Sequence, residues 1–183
     1  KGELNNETFI DEAAIRNFVN GLNYPIYHLD FETFASAVPV FDGSRPYQQL
    51  VFQYSLHIEY KDGKLEHKEY LAEANGEDPR IKFIEQLIAD CGGSGDVLVY
   101  NIGFERGKLF DLIEFSPKHK IPILKIIDRL KDLMIPFRDR SYYTPAMQGS
   151  YSIKKVLPAL VPELSYTDLN IQEGGTASNT FAQ

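Results

Sequence analysis

The stretch Tyr24-Pro-Ile-Tyr-His-Leu-Asp-Phe-Glu-Thr-Phe34 constrains this chain more than any other, because it reads as a buried strand that ends in two acids. Strand side chains alternate, so Leu29 and Phe31 face one side of a sheet while Asp30 and Glu32 face the other. Two residues of rise separate the Cα atoms of the acids by roughly 6.5 Å, close enough for the side chains to converge on a common cation. Asp and Glu are depleted in strands and an unpaired buried charge is costly, so a strand that carries both needs a compensating partner. A bound cation supplies one. So does water at an exposed strand end, or pairing with Arg and Lys.

The 183 residues suit a single α/β domain over 1–183, and 43% hydrophobic with 13% aromatic residues is enough to fill its core. Acidic residues outnumber basic ones by 26 to 19, a net charge of −7, which excludes a protein that coats a long polyanion through charge alone. Nucleic acid is still permitted, since metal-dependent nucleases need acidic pockets and hold phosphate with a local basic rim. The single Cys91 excludes an internal disulfide framework and a multi-cysteine zinc site, and makes a reducing, cytoplasmic setting the default. No apolar run approaches a membrane span, and the polar start at Lys1 lacks the apolar core of a signal peptide. With no Met at its start and Thr180-Phe-Ala-Gln183 at its end, the chain is expected to be a piece of a longer protein with additional domains, truncated at its C-terminal side.

Asp11 to Leu22 carries Ala14, Ile15, Phe18, Val19 and Leu22 at helical spacing, behind Asp11 and Glu12 and ahead of Gly21. Thr33 to Tyr47, with two prolines, Gly43 and Ser44, reads as a loop beside the acidic pair. Gln48 to Tyr60 and Leu65 to Leu71 form a hairpin around Lys61-Asp62-Gly63-Lys64. Pro79 to Ala89 is an amphipathic helix with Asp78 as its cap, stopped by Cys91-Gly-Gly-Ser-Gly95. Asp96 to Asn101 is a short apolar strand, and Gly103 to Phe115 the helix that follows it. Helical spacing also predicts helices over Ile123 to Met134 and Ser152 to Leu160. Strands followed by alternating helices and strands imply an α/β sheet flanked by helices, with three antiparallel strands at its start.

A second constellation, Tyr100-Asn-Ile-Gly-Phe-Glu-Arg-Gly-Lys-Leu109, begins where the apolar strand ends and runs into a helix, where open α/β sheets place functional groups. Asn101 can fix the strand end, Phe104 can wedge beneath the helix, and Glu105 in the first turn can point back at the sheet as a third carboxylate. The same glutamate also suits the macrodipole of a surface helix. Asp30-Phe-Glu-Thr33 resembles the first motif, Asp-x-Glu-Thr, of the DnaQ-like (DEDD) 3′–5′ exonucleases of the ribonuclease H-like superfamily. Asn101-Ile-Gly-Phe-Glu105 resembles their second motif, Asn-x-x-Phe-Asp, and the order of elements between the two matches. The later segment Gln148 to Leu160, followed by Gly174-Gly-Thr-Ala-Ser178, is similar to one uncharacterised bacterial member, the domain of unknown function 2779 family.

That resemblance implies a ribonuclease H-like mixed sheet, three antiparallel strands and then parallel ones, and phosphodiester hydrolysis with two divalent ions, Mg²⁺ or Mn²⁺. Asp30 would bridge both ions, Glu32 would hold the one that activates water, and Glu105 would support the other. Thr33, Phe34, Asn101, Phe104, Tyr151 and Lys154 are the expected substrate contacts, and single-stranded nucleic-acid ends the expected partner. The chain departs from the pattern twice: Glu105 stands in place of Asp, and no fourth carboxylate from a late Tyr- or His-containing helix is found. Asp168 comes too early for that role. Asp132 is a secondary candidate, although Asp128 and Asp132 also read as exposed helix acids paired with Lys125, Arg129 or Lys131. His28 reads as a hydrogen-bonded structural residue. Arg138 to Lys155 mixes four cations with three tyrosines, a composition for phosphate contact and base stacking or for a packed surface loop. Two other classes stay open: a non-catalytic binding platform on the same fold, favoured by Glu105 and the missing acid, and a phosphatase built on a nucleophilic Asp30, disfavoured by Glu32 and the early hairpin.

Overall fold

In the computed structural model, which describes residues 7–164, the Asp-x-Glu stretch is the central strand of a five-stranded sheet. The strands are β2 (Ile26–Phe34), β3 (Leu50–Glu59), β4 (Leu65–Leu71), β5 (Val97–Val99) and β6 (Leu130–Asp132), in spatial order β4-β3-β2-β5-β6. β2, β3 and β4 run antiparallel, whereas β5 lies parallel to β2 and β6 parallel to β5. This is the mixed α/β sheet with antiparallel strands first that the sequence leads one to expect.

Alternation along β2 holds through its length. Leu29 and Phe31 lie opposite Leu56 and Tyr54 of β3 on the packed face, while Asp30 and Glu32 lie opposite Ser55 and Gln53 on the other. The packed face is covered by α2 (Arg80–Cys91), α3 (Ile102–Phe115) and α4 (Lys120–Ile127), whose Phe83, Ile84, Leu87, Leu109, Leu112, Ile123 and Ile126 join the strand residues in one core. Phe83 meets the rings of Phe31 and Tyr54 edge-on at 5.4 and 5.3 Å. The fully buried Tyr54 donates its hydroxyl to Asp90 at 2.6 Å, as a buried phenol must to avoid an unmade bond. On the opposite face His28, His57 and His67 align in one row across three strands. The His57 and His67 rings stack at 4.3 Å, and His28 bonds Glu59 at 3.0 Å, the structural role expected of it.

Several boundaries differ from the sequence reading. β2 continues to Phe34, two residues into the expected loop. The helix expected over Ile123 to Met134 is α4 followed by a separate strand, β6, because the chain turns at Asp128–Arg129. There the Arg129 guanidinium donates to the carbonyls of Cys91 and Gly93, and its own carbonyl accepts the Val97 amide at 2.9 Å, starting the β5–β6 ladder. Two further elements had no sequence signal. β1 (Phe9–Ile10), just before α1 (Glu12–Asn20), pairs antiparallel with β7 (Tyr142–Tyr143), which follows the single turn α5 (Ile135–Arg138). The last described helix, α6, spans Ile153–Leu160. Asp168 and Gly174–Ser178 lie outside the described residues.

Gly95 sits where the link from α2 enters β5. Its φ of +97° lies in the left-handed region, and a Cβ there would collide with the backbone of Pro25. Gly95→Ala is expected to lower stability by more than about 1 kcal/mol, read as a reduced urea midpoint with unchanged m-value.

Candidate active site: a carboxylate cluster at the ends of the parallel strands

Because β2, β5 and β6 are parallel, their C-terminal ends open on the same edge of the sheet. Each delivers an acid or leads to one. Asp30 and Glu32 come from the end of β2, Glu105 from the first turn of α3 just after β5, and Asp132 from the last position of β6.

Asp30 retains solvent contact, yet its carboxyl pKa is raised because protein surrounds it, an effect partly opposed by a hydrogen bond from the Phe31 backbone. Exposure and desolvation coexist when a group lies in a concavity. The half-buried Glu32 is raised as well, by burial first and then by the charge of Asp30. The register against β3 slips between Glu32 and Thr33, so Phe52 of β3 has no opposite residue. Such an irregularity re-aims side chains, and here it falls immediately after the acidic pair.

Glu105 is the most unusual of the four. Only 2% of its surface is exposed, and Oε2 has no hydrogen-bond partner among the described residues. Burial pushes its pKa from 4.5 up to about 7; a hydrogen bond to its own amide opposes this, and the charges of Asp30 and Asp132 reinforce it. The helix-surface alternative for this glutamate is therefore not what the structure has. Asp132 is also buried, at 5% exposure, and its Oδ1 accepts the amides of Asn101 and Met134, both at 3.0 Å. It is a strand-end acid held by backbone donors, a correction to the exposed helix acid paired with nearby cations.

The remaining candidates separate by location. Asn101 caps α3 in the left-handed region at φ 72°, which Asn tolerates better than most residues, and its carbonyl accepts the Phe104 amide at 3.0 Å. Phe104 packs half-buried against the main core, the wedge foreseen. Thr33 is half-buried beyond the register slip. Phe34 is enclosed in a second apolar cluster with Leu50, Phe52 and Ala72, its ring edge-on to Phe41 and Phe52. Tyr151 is 47% exposed, with its carbonyl accepting the Tyr100 hydroxyl at 2.5 Å, and Lys154 is exposed on α6. Arg138 and Arg140, passed over individually in the sequence, line a cavity with Tyr143 and Tyr151.

Asp30, Glu32 and Glu105 are all raised by burial, with the charge of Asp30 adding to the other two and that of Asp132 to Glu105, and such a grouping favours either a shared proton or a cation. Their oxygens are the hard donors that suit Mg²⁺ or Mn²⁺, and the orphaned Glu105 Oε2 is an atom that such an ion would satisfy. The acids are coupled without being closed around one point, for among the described residues no group of three or more His, Cys, Asp or Glu is arranged to hold a metal ion.

The raised native pKa of Glu105 gives a pH dependence of definite sign. Native Glu105 binds its proton more tightly than the unfolded chain does, so its contribution to stability is full below about 4.5 and is lost as pH rises through about 7. In chelator, this group is expected to cost about 3 kcal/mol between about pH 5 and pH 8. Glu105→Gln should flatten that part of the urea-unfolding profile and gain most over the parent at the alkaline end.

Residues 27–152 match the family described as domain of unknown function (DUF2779), a region that contains all four acids. An uncharacterized protein of Ureaplasma parvum is 31% identical over 180 residues, which covers 91% of this chain and 26% of that protein. One from Mycoplasma pneumoniae is 29% identical over 169 residues, covering 82% of this chain and 25% of its own length. A third, from Mycoplasma genitalium, is 26% identical over 181 residues, at 88% and 27% coverage. The chain thus spans about a quarter of the bacterial relatives it matches. No solved structure matches it. No helix of the described residues is long and apolar enough to cross a membrane. Its profile match over most of its length makes this chain a member of the DUF2779 family.

Proposed function

We propose that this domain is a ribonuclease H-like, metal-dependent nuclease that hydrolyses phosphodiester bonds, acting as a 3′–5′ exonuclease on single-stranded ends. The observation that carries the reading is Glu105, a buried carboxylate with an orphaned oxygen, coupled to Asp30 and Asp132 where three parallel strands end. A central strand with Asp-x-Glu, an antiparallel hairpin beside it and two parallel strands on its other side support the finer fold assignment.

In this reading Asp30, Glu32 and Glu105 would hold Mg²⁺ or Mn²⁺, with Asp132 as a further candidate. A divalent ion supplies charge neutralisation at the scissile phosphate and a more acidic water. The protein's own part is electrostatic and positional. Asp30 and Glu32 present their oxygens on a rigid central strand, and Asp132 fixes the Asn101 amide and hence the start of the helix that carries Glu105. A protonated Glu105, with its pKa near 7, lowers the repulsion among the acids while the site is empty of cations.

The open arrangement of the four acids favours one second reading, a non-catalytic platform that binds nucleic acid or protein. Calorimetric titration with Mn²⁺ separates the two: heat of binding lost in Asp30→Asn belongs to the nuclease, no uptake to the platform. For the nuclease, 5′-labelled single-stranded DNA and RNA should be shortened from their 3′ ends only with Mg²⁺ or Mn²⁺. Asp30→Asn should lower the rate by at least about 100-fold, the upper end of what loss of an outer-shell metal partner costs. Equal cleavage by that variant, or none by the parent chain, refutes the assignment.

A further inference from the structure

The segment after β6 builds a cavity that the carboxylate chemistry leaves unused. Its first wall is the turn that ends α5. The Arg140 amide donates to the Phe137 carbonyl at 3.1 Å, and Arg140 takes a φ of 59°, so Arg138 and Arg140 project from one tight turn. Its second wall is the link between β7 and α6, where Gln148 and Gly149 are both left-handed, at φ 53° and 73°. Strain at non-glycine residues is retained where surrounding structure or function demands it, and here it occurs on both walls.

The volume enclosed is about 120 Å³. That is several times the ~30 Å³ share of one liquid water, and well below the ~300–1,000 Å³ of sites that engulf a free small molecule. It suits one phosphate-sized group with the rest of its molecule outside. Arg138, Arg140, Gly149 and Ser150 give the walls polar character, Tyr143 and Tyr151 add aromatic faces, and Phe137 with the buried Met147 closes the apolar floor. Arg138 leans on Asp139 at 2.9 Å, and no ion pair holds Arg140 among the described residues. In a chain of net charge −7, two arginines facing one small hollow are a local inversion of sign.

The hollow adjoins the carboxylate edge. Tyr100 donates its hydroxyl to the Tyr151 carbonyl at 2.5 Å, and its ring lies 6.4 Å from that of Phe137. The next residue, Asn101, gives its amide to Asp132. Arg138 has its pKa raised chiefly by the hydrogen bond to Asp139, with added pull from the charges of Asp132 and Tyr151.

We propose that this cavity is a backbone-phosphate subsite for single-stranded polynucleotide, in which Arg138 and Arg140 grip a phosphate near the one at the carboxylates while Tyr143 and Tyr151 take the adjoining base or sugar. The identity of the ligand rests on the nuclease reading above; the anion preference rests on the cavity itself. Arginine forks match phosphate oxygens, and aromatic rings accept any base by stacking.

The test is fluorescence anisotropy of 5′-labelled oligothymidylate and oligouridylate with the chain in chelator, where no turnover occurs. Arg140→Gly suits the left-handed turn and removes only the side chain; Arg138→Gln, Arg140→Lys and a control, Lys118→Gln, at a residue that does not line the hollow complete the set. Each arginine loss is expected to weaken binding about 5–30-fold and to reduce the slope of log affinity against log salt by about 0.7. Arg140→Lys should recover part of the affinity, and Lys118→Gln should match the parent. Unchanged affinity and salt slope in both arginine variants overturn the subsite, even if the parent still cleaves with Mn²⁺. No binding of either oligonucleotide by the parent overturns it too, as does preferential, arginine-dependent binding of anionic phospholipid vesicles. Arginine-dependent oligonucleotide binding by a parent that never cleaves keeps the subsite and removes the nuclease reading.

Discussion

One carboxylate oxygen fixes the frame of the site. Oδ1 of Asp132 accepts the amide that begins the turn out of β5 and the amide two residues past β6, so two neighbouring strands are tied at the edge where they end. Hydrogen bonds from backbone amides to an ionised acceptor are worth about 1.5–3 kcal/mol each, more than neutral ones. Here they also set direction. Asn101 is held in its left-handed conformation, α3 starts from it, and Glu105 arrives one turn later facing the sheet rather than solvent. Loosening this tie would leave Asp30 and Glu32 on their strand while the third acid lost its aim.

Strand alternation made the first half of this arrangement legible. Leu29, Asp30, Phe31 and Glu32 could be assigned to faces from the sequence, and the pairing with Leu56, Ser55, Tyr54 and Gln53 agrees. The hairpin at Lys61–Lys64 was equally readable because Asp-Gly demands a particular turn. Asp132 was hidden. A three-residue strand has no period of its own, and Ile123, Leu124, Ile126, Ile127 and Leu130 continue a helical spacing across the break. What ends the helix is a long-range event, the hold of the Arg129 side chain on the carbonyls that terminate α2. For Glu105 the sequence left two readings, toward the sheet or on the helix surface, since a first-turn acid looks the same whether it meets water or a sheet, and its burial decides for the first. The β1–β7 pair is two residues long on each side and separated by most of the chain, below any pattern that composition can show.

The electrostatics divide the surface around Asn101 into two opposed regions. On one side burial, with the charges of Asp30 and Asp132, raises the protonation of Glu105; on the other two arginines line a hollow, one of them paired with Asp139. Tyr100 and Asn101 stand between, one bonded to each side. Such local conflict with the rules of stable packing gathers at functional sites, while the remainder of the fold obeys them. The core agrees with that division, with Phe83, Ile84 and Leu87 of α2 fully buried beneath β2 and β3.

The pairing of Phe9–Ile10 with Tyr142–Tyr143, reinforced by the Asp11 amide on the Ser141 carbonyl at 2.7 Å, joins the start of the described chain to the segment after β6. Through Tyr143 this short clasp meets the wall of the arginine hollow, and neither of its strands belongs to the five-stranded sheet. The clasp is two residues long on each strand, far shorter than the β2–β3 register. The lead into α1 is therefore tied to a wall of the arginine hollow and not to the strands that carry the acids.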